Sequence, residues 1–555
     1  MSSVIVGIYG PRDSIHGNHP TFVHDHSVTI IRDDEIITSL PLERLTGIKH
    51  DNTMENHLLN LLYDYIDPND EVTFALSNSF VGSSFISSDG NLRIEPNGKV
   101  TITSDLIPAS VHWFPNGIDR REAKGYIVCH EFAHIASSIP FFGEFPEKSL
   151  LVHIDGGASL SANSFWFYEK GTVNLLAHGW GELHSLICNF NTNPLVRVIL
   201  SHESWQHLSI PGKLMGYASF GESSDETINW LRKNNWFKWM DENNENDRIK
   251  VLSTISEQFG LVKDFDLNAQ IFMDICAAMQ MDFQNTVTKS IISYAREINA
   301  ENLIFSGGAG LNILTNSDLE SRNEFKSISI PPCTNDSGLS LGAAAWTYYK
   351  LKNKFLQSTS PFMVKTGIET IESFTEIDDV VEMILQGDTI GICNGAGEIG
   401  PRALGHRSII ARMDDIEIRK HVSQNIKKRE WYRPLAPIMC EDAAEVVLPE
   451  ALNSNLSKFM LGSWIVPDEW KGCFAGVIHI DGSIRCQIVR KEDNDNKWMY
   501  ELLRRLWKEH NIPGLINTSF NKMGEPILID GTKAIHASKK LNLKGVVVNG
   551  SLHKH

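Results

Sequence analysis

Cysteine is scarce and scattered in this chain, with eight in 555 residues, running from Cys129 to Cys486 and none in a Cys-x-x-Cys pair. That excludes a disulfide framework and a zinc ribbon, and it points to a reducing compartment, the cytoplasm. No apolar run approaches membrane-spanning length, so no membrane partner is expected. The start, Met1-Ser2-Ser3-Val4-Ile5-Val6-Gly7-Ile8, has neither a basic region nor a small-residue cleavage site, and secretion is not expected. Positive charge is also in deficit: 51 Lys plus Arg stand against 68 Asp plus Glu, a formal net charge of -17. Such a balance disfavours nonspecific nucleic-acid binding, although a local site can still take a nucleotide. With 42% hydrophobic and 21% charged residues, the composition is that of a globular chain. Its length suits about two to four domains.

Against this acidic background, nine Lys/Arg face only four Asp/Glu between Arg402 and Arg433. The island opens with Glu398-Ile399-Gly400-Pro401-Arg402-Ala403-Leu404-Gly405-His406-Arg407-Ser408 and ends with Lys427-Lys428-Arg429-Glu430-Trp431-Tyr432-Arg433-Pro434. An acidic protein repels anions at long range, so a compact group of guanidinium forks reads as a built site for phosphate or carboxylate-like ligands. A solvated basic helix face would not carry Gly395, Gly397, Gly400 and Gly405, which suit a loop whose N–H groups approach an anion. A helix-like segment from Asp415 to Lys428 joins the two clusters, which could clamp two ends of one charged ligand.

Strand patterns run from Val4 to Gly10 and from Ser27 to Leu40, the latter turning at Asp33-Asp34. A second hairpin pattern runs from Leu150 through Trp166 to Leu176 and turns at Lys170-Gly171. Apolar residues at Ile271, Ile275, Met279, Phe283, Val287 and Ile291 mark a buried amphipathic helix. It leads to a strand at Asn302 to Phe305 and the turn Ser306-Gly307-Gly308, a common but weakly specific phosphate arrangement. Repeated hairpins followed by helices suggest two stacked α/β lobes. A polar stretch beginning at Gln357 reads as a linker, placing one domain at 1–356, the linker at 357–370 and a second α/β domain at 371–555. Further strands are expected at Gly476–Ile480, Leu515–Asn517 and Gly545–Val548.

His130-Glu131-Phe132-Ala133-His134 matches the His-Glu-x-x-His pattern in which two histidines on one helix face bind zinc and the glutamate activates water. Two carboxylates following strand-like or loop segments, Asp155 and Asp336, offer another use of the same histidines. Two imidazoles and two carboxylates make a mixed N/O site suited to iron, manganese or zinc, able to grip a phosphate. A metalloprotease and a phosphate-handling metal site both stand at this point.

Taken in order, the chain resembles the O-carbamoyltransferases related to the nodulation protein NodU and to enzymes that tailor antibiotics such as tobramycin and cephamycins. The resemblance rests on Pro11-Arg12-Asp13, His24-Asp25-x-Ser27, Glu43-Arg44-x-x-x-x-Lys49-His50, the His130/His134 pair and Gly212-Lys213-Leu214-Met215-Gly216. It continues through Ser306-Gly307-Gly308, Gly400-Pro401-Arg402-Ala403-Leu404-Gly405, Arg429-Glu430-Trp431-x-Arg433-Pro434, Ile484-Arg485-x-Gln487 and Asn517-Thr518-Ser519-Phe520-Asn521.

The resemblance implies a mixed α/β enzyme with a Kae1-like N-terminal domain of the actin-like ATPase (ASKHA) class, itself of two lobes, and a YrdC-like C-terminal domain. It implies that carbamoyl phosphate and ATP become carbamoyladenylate, whose carbamoyl group then moves to a small-molecule alcohol in secondary metabolism. His24 is the implied base and Asp25 its orienting partner, while Asp13 meets the acceptor. Lys49, Lys213, Gly307, Gly308, Asn312, Arg402, Lys427, Arg433 and Arg485 are the implied nucleotide and carbamoyl phosphate contacts. His130, His134, Asp155 and Asp336 hold the metal, expected to be Fe²⁺, with Mg²⁺ accompanying ATP. The chain departs from the family pattern in the insert 14–23, expected to shape the acceptor pocket, and at Met523, where Lys522 is the available basic neighbour. No nucleic-acid partner is expected, and a homodimer is compatible with the family. A threonylcarbamoyl-type tRNA-modifying enzyme, a zinc metalloprotease using the His-Glu-x-x-His motif and a nucleotide sensor are the competing readings.

Overall fold

The computed structural model describes the whole chain except residues 1, 12–22, 158–159, 182, 184–185, 187–189, 191, 202–207 and 366–375. Asp13 and most of the insert at 14–23 therefore lie outside the described residues.

The first sheet is built on β1 (Ser3–Tyr9), which is buried along almost its whole length. β1 pairs antiparallel with β2 (Ser27–Arg32), which pairs antiparallel with β3 (Glu35–Pro41) through the Asp33-Asp34 turn. On its other side β1 pairs in parallel with β4 (Glu71–Ser77). The short β5 (Phe85–Ile86), β6 (Leu92–Pro96), β7 (Ile107–Trp113) and β8 (Lys124–Val128) complete the order β3-β2-β1-β4-β8-β7-β6-β5. β8 also runs parallel to β4. Parallel strands are covered on both faces, which is why Val4-Ile5-Val6 reads as a continuous apolar run.

The second sheet repeats that plan. β9 (Ser149–Ile154) pairs antiparallel with β10 (Asn163–Glu169), and β10 with β11 (Thr172–Gly179), turning at Lys170-Gly171. Both turn residues have positive φ, 53° and 71°, as a tight two-residue hairpin requires. β12 (Asn302–Ser306) and β13 (Ser327–Ser329) then add in parallel, giving β11-β10-β9-β12-β13. The two stacked lobes read from the hairpins are thus present, each with an antiparallel meander whose first strand is extended by parallel strands.

The helix Leu339–Lys352 packs on the first sheet and on the helix that carries the histidines. A Cβ at Gly7 would lie 2.1 Å from the Ser340 carbonyl oxygen, and one at Gly342 would lie 1.8 Å from that of Ala133. These approaches seat the helix between β1 and the His130–Ala136 helix, which follows β8.

A separate seven-stranded sheet forms the C-terminal part. Its strands lie in the order Gln487–Val489, Ala436–Cys440, Leu515–Ser519, Arg407–Arg412, Ile390–Cys393, Gly545–Val548 and Ser551–Lys554. The stretch read as a linker is not a free tether. Its Ser358 and Thr359 N–H groups donate to the Pro140 carbonyl, and Phe362–Val364 is a buried strand paired with Gly397–Glu398. Residues 366–370 of that stretch lie outside the described residues. Gly476–Ile480 is also not a strand. Val477 and Ile478 both donate back to the Phe474 carbonyl, and Gly476 sits against Met413, so tertiary packing turns a β-prone run into a coil. The expected helix at Asp415–Lys428 starts as an α-helix at Ile416–Lys420, capped by the Asp415 carboxylate, and widens into a π-turn over His421–Ile426.

Candidate active site

Chemistry collects at the C-terminal ends of the parallel strands, where open α/β sheets bind ligands: Tyr9 ends β1 and Asp155 follows β9. His130 and His134 are fully buried on one helix face, with their Nε2 atoms 3.1 Å apart. From β9 comes Asp155, whose Oδ2 lies 3.5 Å from His134 Nε2. Asp336 places Oδ1 3.3 Å from His134 Nε2 and 4.0 Å from His130 Nε2. The four residues expected to hold a metal therefore converge.

Their surroundings fix them. His130 Nδ1 faces the Asn78 carbonyl oxygen at 3.2 Å, which leaves Nε2 for the centre. Tyr9 donates to Asp336 Oδ2 at 2.9 Å, and the Gly308 N–H to Asp155 Oδ2 at 2.6 Å. Gly307, at φ 94°, sits where a Cβ would be 2.2 Å from the Ile154 carbonyl oxygen, so only glycine lets this turn close on Asp155. Burial pulls the His130 pKa down to about 4. For His134 burial also acts downward, but the Asp336 and Asp155 carboxylates outweigh it and raise the value. Asp336 is held well below the usual carboxylate range: burial opposes this, and the bond to His134 with the fields of His24, His130 and His134 prevails. Two imidazoles and two carboxylates around one point are a donor set that fits a divalent first-row metal.

Glu131 is engaged by a loop. Its Oε1 accepts the Ser161 N–H at 2.8 Å, so it anchors a loop and is not placed to activate water beside the histidines. This geometry speaks against the metalloprotease reading.

A second cluster, His24, Asp25 and His50, adjoins the first in space. Asp25, held in the left-handed region at φ 57°, shares its carboxylate between His24 Nδ1 at 3.1 Å and His50 Nδ1 at 2.8 Å. Asn335, the neighbour of Asp336, donates to Asp25 Oδ2 at 3.2 Å. Burial lowers the His24 pKa, but the Asp25 hydrogen bond and the fields of Asp336, Asp25 and Asp155 more than reverse this, and it stands at about 9. A histidine at that value carries its proton at neutral pH and must shed it before it can act as a base. His50 escaped the sequence reading as a working group, because its link to His24 runs through a carboxylate that an unusual backbone angle aims at both rings.

The basic island resolves into two kinds of cation. Arg402, Arg429, Arg433 and Arg485 line a pocket closed from the N-terminal side by Gly212, Met215, Gly216 and Ile313. Among the described residues, no carboxylate lies within ion-pairing distance of Arg402, Arg429 or Arg485, and Arg433 Nη1 only approaches Glu430 Oε2 at 3.6 Å. Burial and mutual repulsion depress Arg402 to about 10 and Arg429 to about 9, and they push Arg485 well down. Four crowded guanidinium groups with so little compensation form a site awaiting anionic oxygens. Arg429 is a member that the sequence reading did not select.

Arg407 and Lys427 belong to the fold instead. Arg407 is buried and donates to the carbonyls of Asn394, Gly395 and Ile529 at 2.8 to 2.9 Å. Lys427, expected to contact the ligand, is a correction: its Nζ donates to the Ser519 and Asn521 carbonyls at 2.6 Å each and to Asn521 Oδ1 at 2.5 Å. An ammonium has three protons, and these acceptors use them. Asn312 is a second correction. Its side chain caps the helix Ile313–Ser321 and exchanges two hydrogen bonds with Gln280, so it is not open to an adenylate. Lys213 pairs with Glu430 at the pocket wall, and Lys49 pairs with Glu43 at 2.7 Å beside His50. Met523 is 62% exposed and lines no part of this pocket.

Residues 117–345 match the family profile described as Carbamoyltransferase N-terminus, and residues 381–555 the one described as Carbamoyltransferase C-terminus. Nodulation protein NolNO of Sinorhizobium fredii is 25% identical over 99% of this chain and 82% of its own length. Nodulation protein U of Azorhizobium caulinodans is 26% identical, over 92% of this chain and 94% of that one. An uncharacterized protein of Methanocaldococcus jannaschii is 25% identical, over 95% and 98%.

Proposed function

The chain belongs to the carbamoyltransferase family, and from that premise we propose an ATP-dependent O-carbamoyltransferase that works in two steps at two sites. In this reading residues 1–356 form a Kae1-like unit of the actin-like ATPase class, which the duplicated sheet plan supports. Residues 371–555 form a YrdC-like unit. The observation that carries the proposal is the group of four guanidiniums, Arg402, Arg429, Arg433 and Arg485, nearly free of carboxylates, in a pocket walled by both halves of the chain.

In the first step carbamoyl phosphate loses phosphate to water. The resulting carbamate oxygen attacks the α-phosphorus of ATP, pyrophosphate leaves, and carbamoyladenylate remains. The arginines hold the phosphate oxygens bidentately and stabilise the charge that builds on them. In the second step an acceptor hydroxyl attacks the carbamoyl carbon, AMP departs with the bridging oxygen, and the hydroxyl proton passes to His24. General-base help of this kind is worth roughly 10²–10⁴ in rate. Asp25 orients His24, and His50 holds the other oxygen of that carboxylate. His130, His134, Asp155 and Asp336 would hold a divalent ion, which would offset charge on the adenylate phosphate and the Asp155 and Asp336 fields that retain the His24 proton. The acceptor is a small-molecule alcohol.

Mass-spectrometric detection of carbamoyladenylate, with pyrophosphate release, tests this directly in protein given ATP, Mg²⁺ and carbamoyl phosphate but no acceptor. Both products are expected. Their absence from folded, metal-replete protein overturns the proposal.

A further inference from the structure

We propose that His153 is a third imidazole ligand of the metal centre, so that three histidines hold the ion. This rests on the metal role proposed above. β9 is otherwise apolar in its second half, through Leu150, Leu151, Val152 and Ile154, and His153 interrupts that run just before Asp155. Side chains two apart on an extended strand leave by the same face, and Leu151, two residues before His153, packs in the cluster that holds Phe132 and Ala136 of the histidine helix.

His153 is 1% exposed, and among the described residues neither of its ring nitrogens has a hydrogen-bond partner. Its cross-strand neighbours are Ser164 on β10 and Ser306 on β12, and both hydroxyls are engaged elsewhere, by Trp166 Nε1 and by Thr334. A buried imidazole with two unsatisfied nitrogens weakens a strand centre that valine or leucine would fill without cost. The other histidines are its ring neighbours. The His153 ring stacks on His134 at a centroid distance of 5.0 Å and 22°, and meets His130 edge-on at 6.1 Å. One nitrogen from each of the three rings falls within 4.8 Å of the others. Three imidazoles and two carboxylates favour iron, cobalt, nickel or zinc over magnesium or calcium more strongly than two imidazoles do.

X-ray absorption on the Co²⁺-loaded full-length protein counts the imidazoles, and competition with a chelator measures affinity. Wild type is expected to show three imidazole scatterers. His153→Phe, which keeps a ring against His134, should show two and bind Co²⁺ at least about tenfold more weakly. His153→Gln serves as a second variant should the phenylalanine disturb folding. A wild-type count of two, or unchanged affinity and count in a folded variant, overturns the assignment and leaves His153 a packing residue. Wild type that binds no Co²⁺ overturns it together with the metal role. Failure of carbamoyladenylate formation would sink the proposed first step and leave the imidazole count standing.

Discussion

Arg44 donates from Nη2 to the Gly400 carbonyl across 2.9 Å, and through it the first sheet grips the loop that presents Arg402. The same glycine, at φ 91°, lies where a Cβ would be 2.2 Å from the Pro332 carbonyl oxygen, at the head of the loop that carries Asn335 and Asp336. One residue thus couples the anion pocket to both histidine clusters. Gly400→Ala combines backbone strain with a steric clash, and strain of this type costs about 1–3 kcal/mol. The expected result is a lowered Tm and ATP consumption that outruns product, because the intermediate escapes to water. A ratio of AMP formed to product equal to that of wild type would contradict this role.

The two kinds of cation should part company in mutants. Arg433→Ala and Arg485→Ala are each expected to reduce adenylate formation by about 10- to 100-fold, as loss of a charge-assisted hydrogen bond of 1.5–3 kcal/mol implies. Their Tm should hold or rise, since each change relieves repulsion among the guanidiniums. Arg407→Met should do the opposite and lower Tm strongly, because it strands the buried carbonyls of Asn394, Gly395 and Ile529. Pyrophosphate release and thermal melts on the same preparations decide the matter.

Removal of transition metal should separate the two steps. A chelator selective against Mg²⁺ is expected to leave carbamoyladenylate formation intact while transfer to an acceptor falls, since the histidine cluster lies among the N-terminal residues and the arginines are C-terminal. Equal loss of both steps would refute that division.

His24 should set the pH dependence of transfer. Held at about 9 by Asp25 and the nearby carboxylates against the effect of burial, it is protonated below that value, so transfer rises with pH as the imidazole becomes neutral. In the metal-loaded enzyme the rise should fall below pH 9, because the ion offsets Asp155 and Asp336. Asp25→Asn removes a charge that raises the value, so the rise should move lower still while the maximal rate drops. The stability linkage has the matching sign. A histidine with its folded value raised from 6.5 contributes fully below about pH 6.5, and that contribution disappears as pH climbs through about 9. A pH–rate profile of Asp25→Asn that coincides with wild type would dismiss His24 as the titrating group.

Much of this was legible in the chain itself because it is local. The i, i+4 spacing of His130 and His134 puts both on one helix face, the Asp33-Asp34 and Lys170-Gly171 turns declare the hairpins, and a cluster of arginines among glycines marks an anion site. Chemistry of residue types also singled out Asp155 and Asp336. Only the tertiary structure decided which cations line the pocket. Lys427 and Arg433 look alike in sequence, yet one spends its protons on carbonyls of a loop returning from Ser519 to Asn521 and the other reaches the pocket. The same holds for Asn312, His50 and His153, whose partners arrive from distant strands and helices. Residue identity and local spacing determine what a side chain can bind, but its actual partner depends on which backbone groups packing brings within about 3 Å.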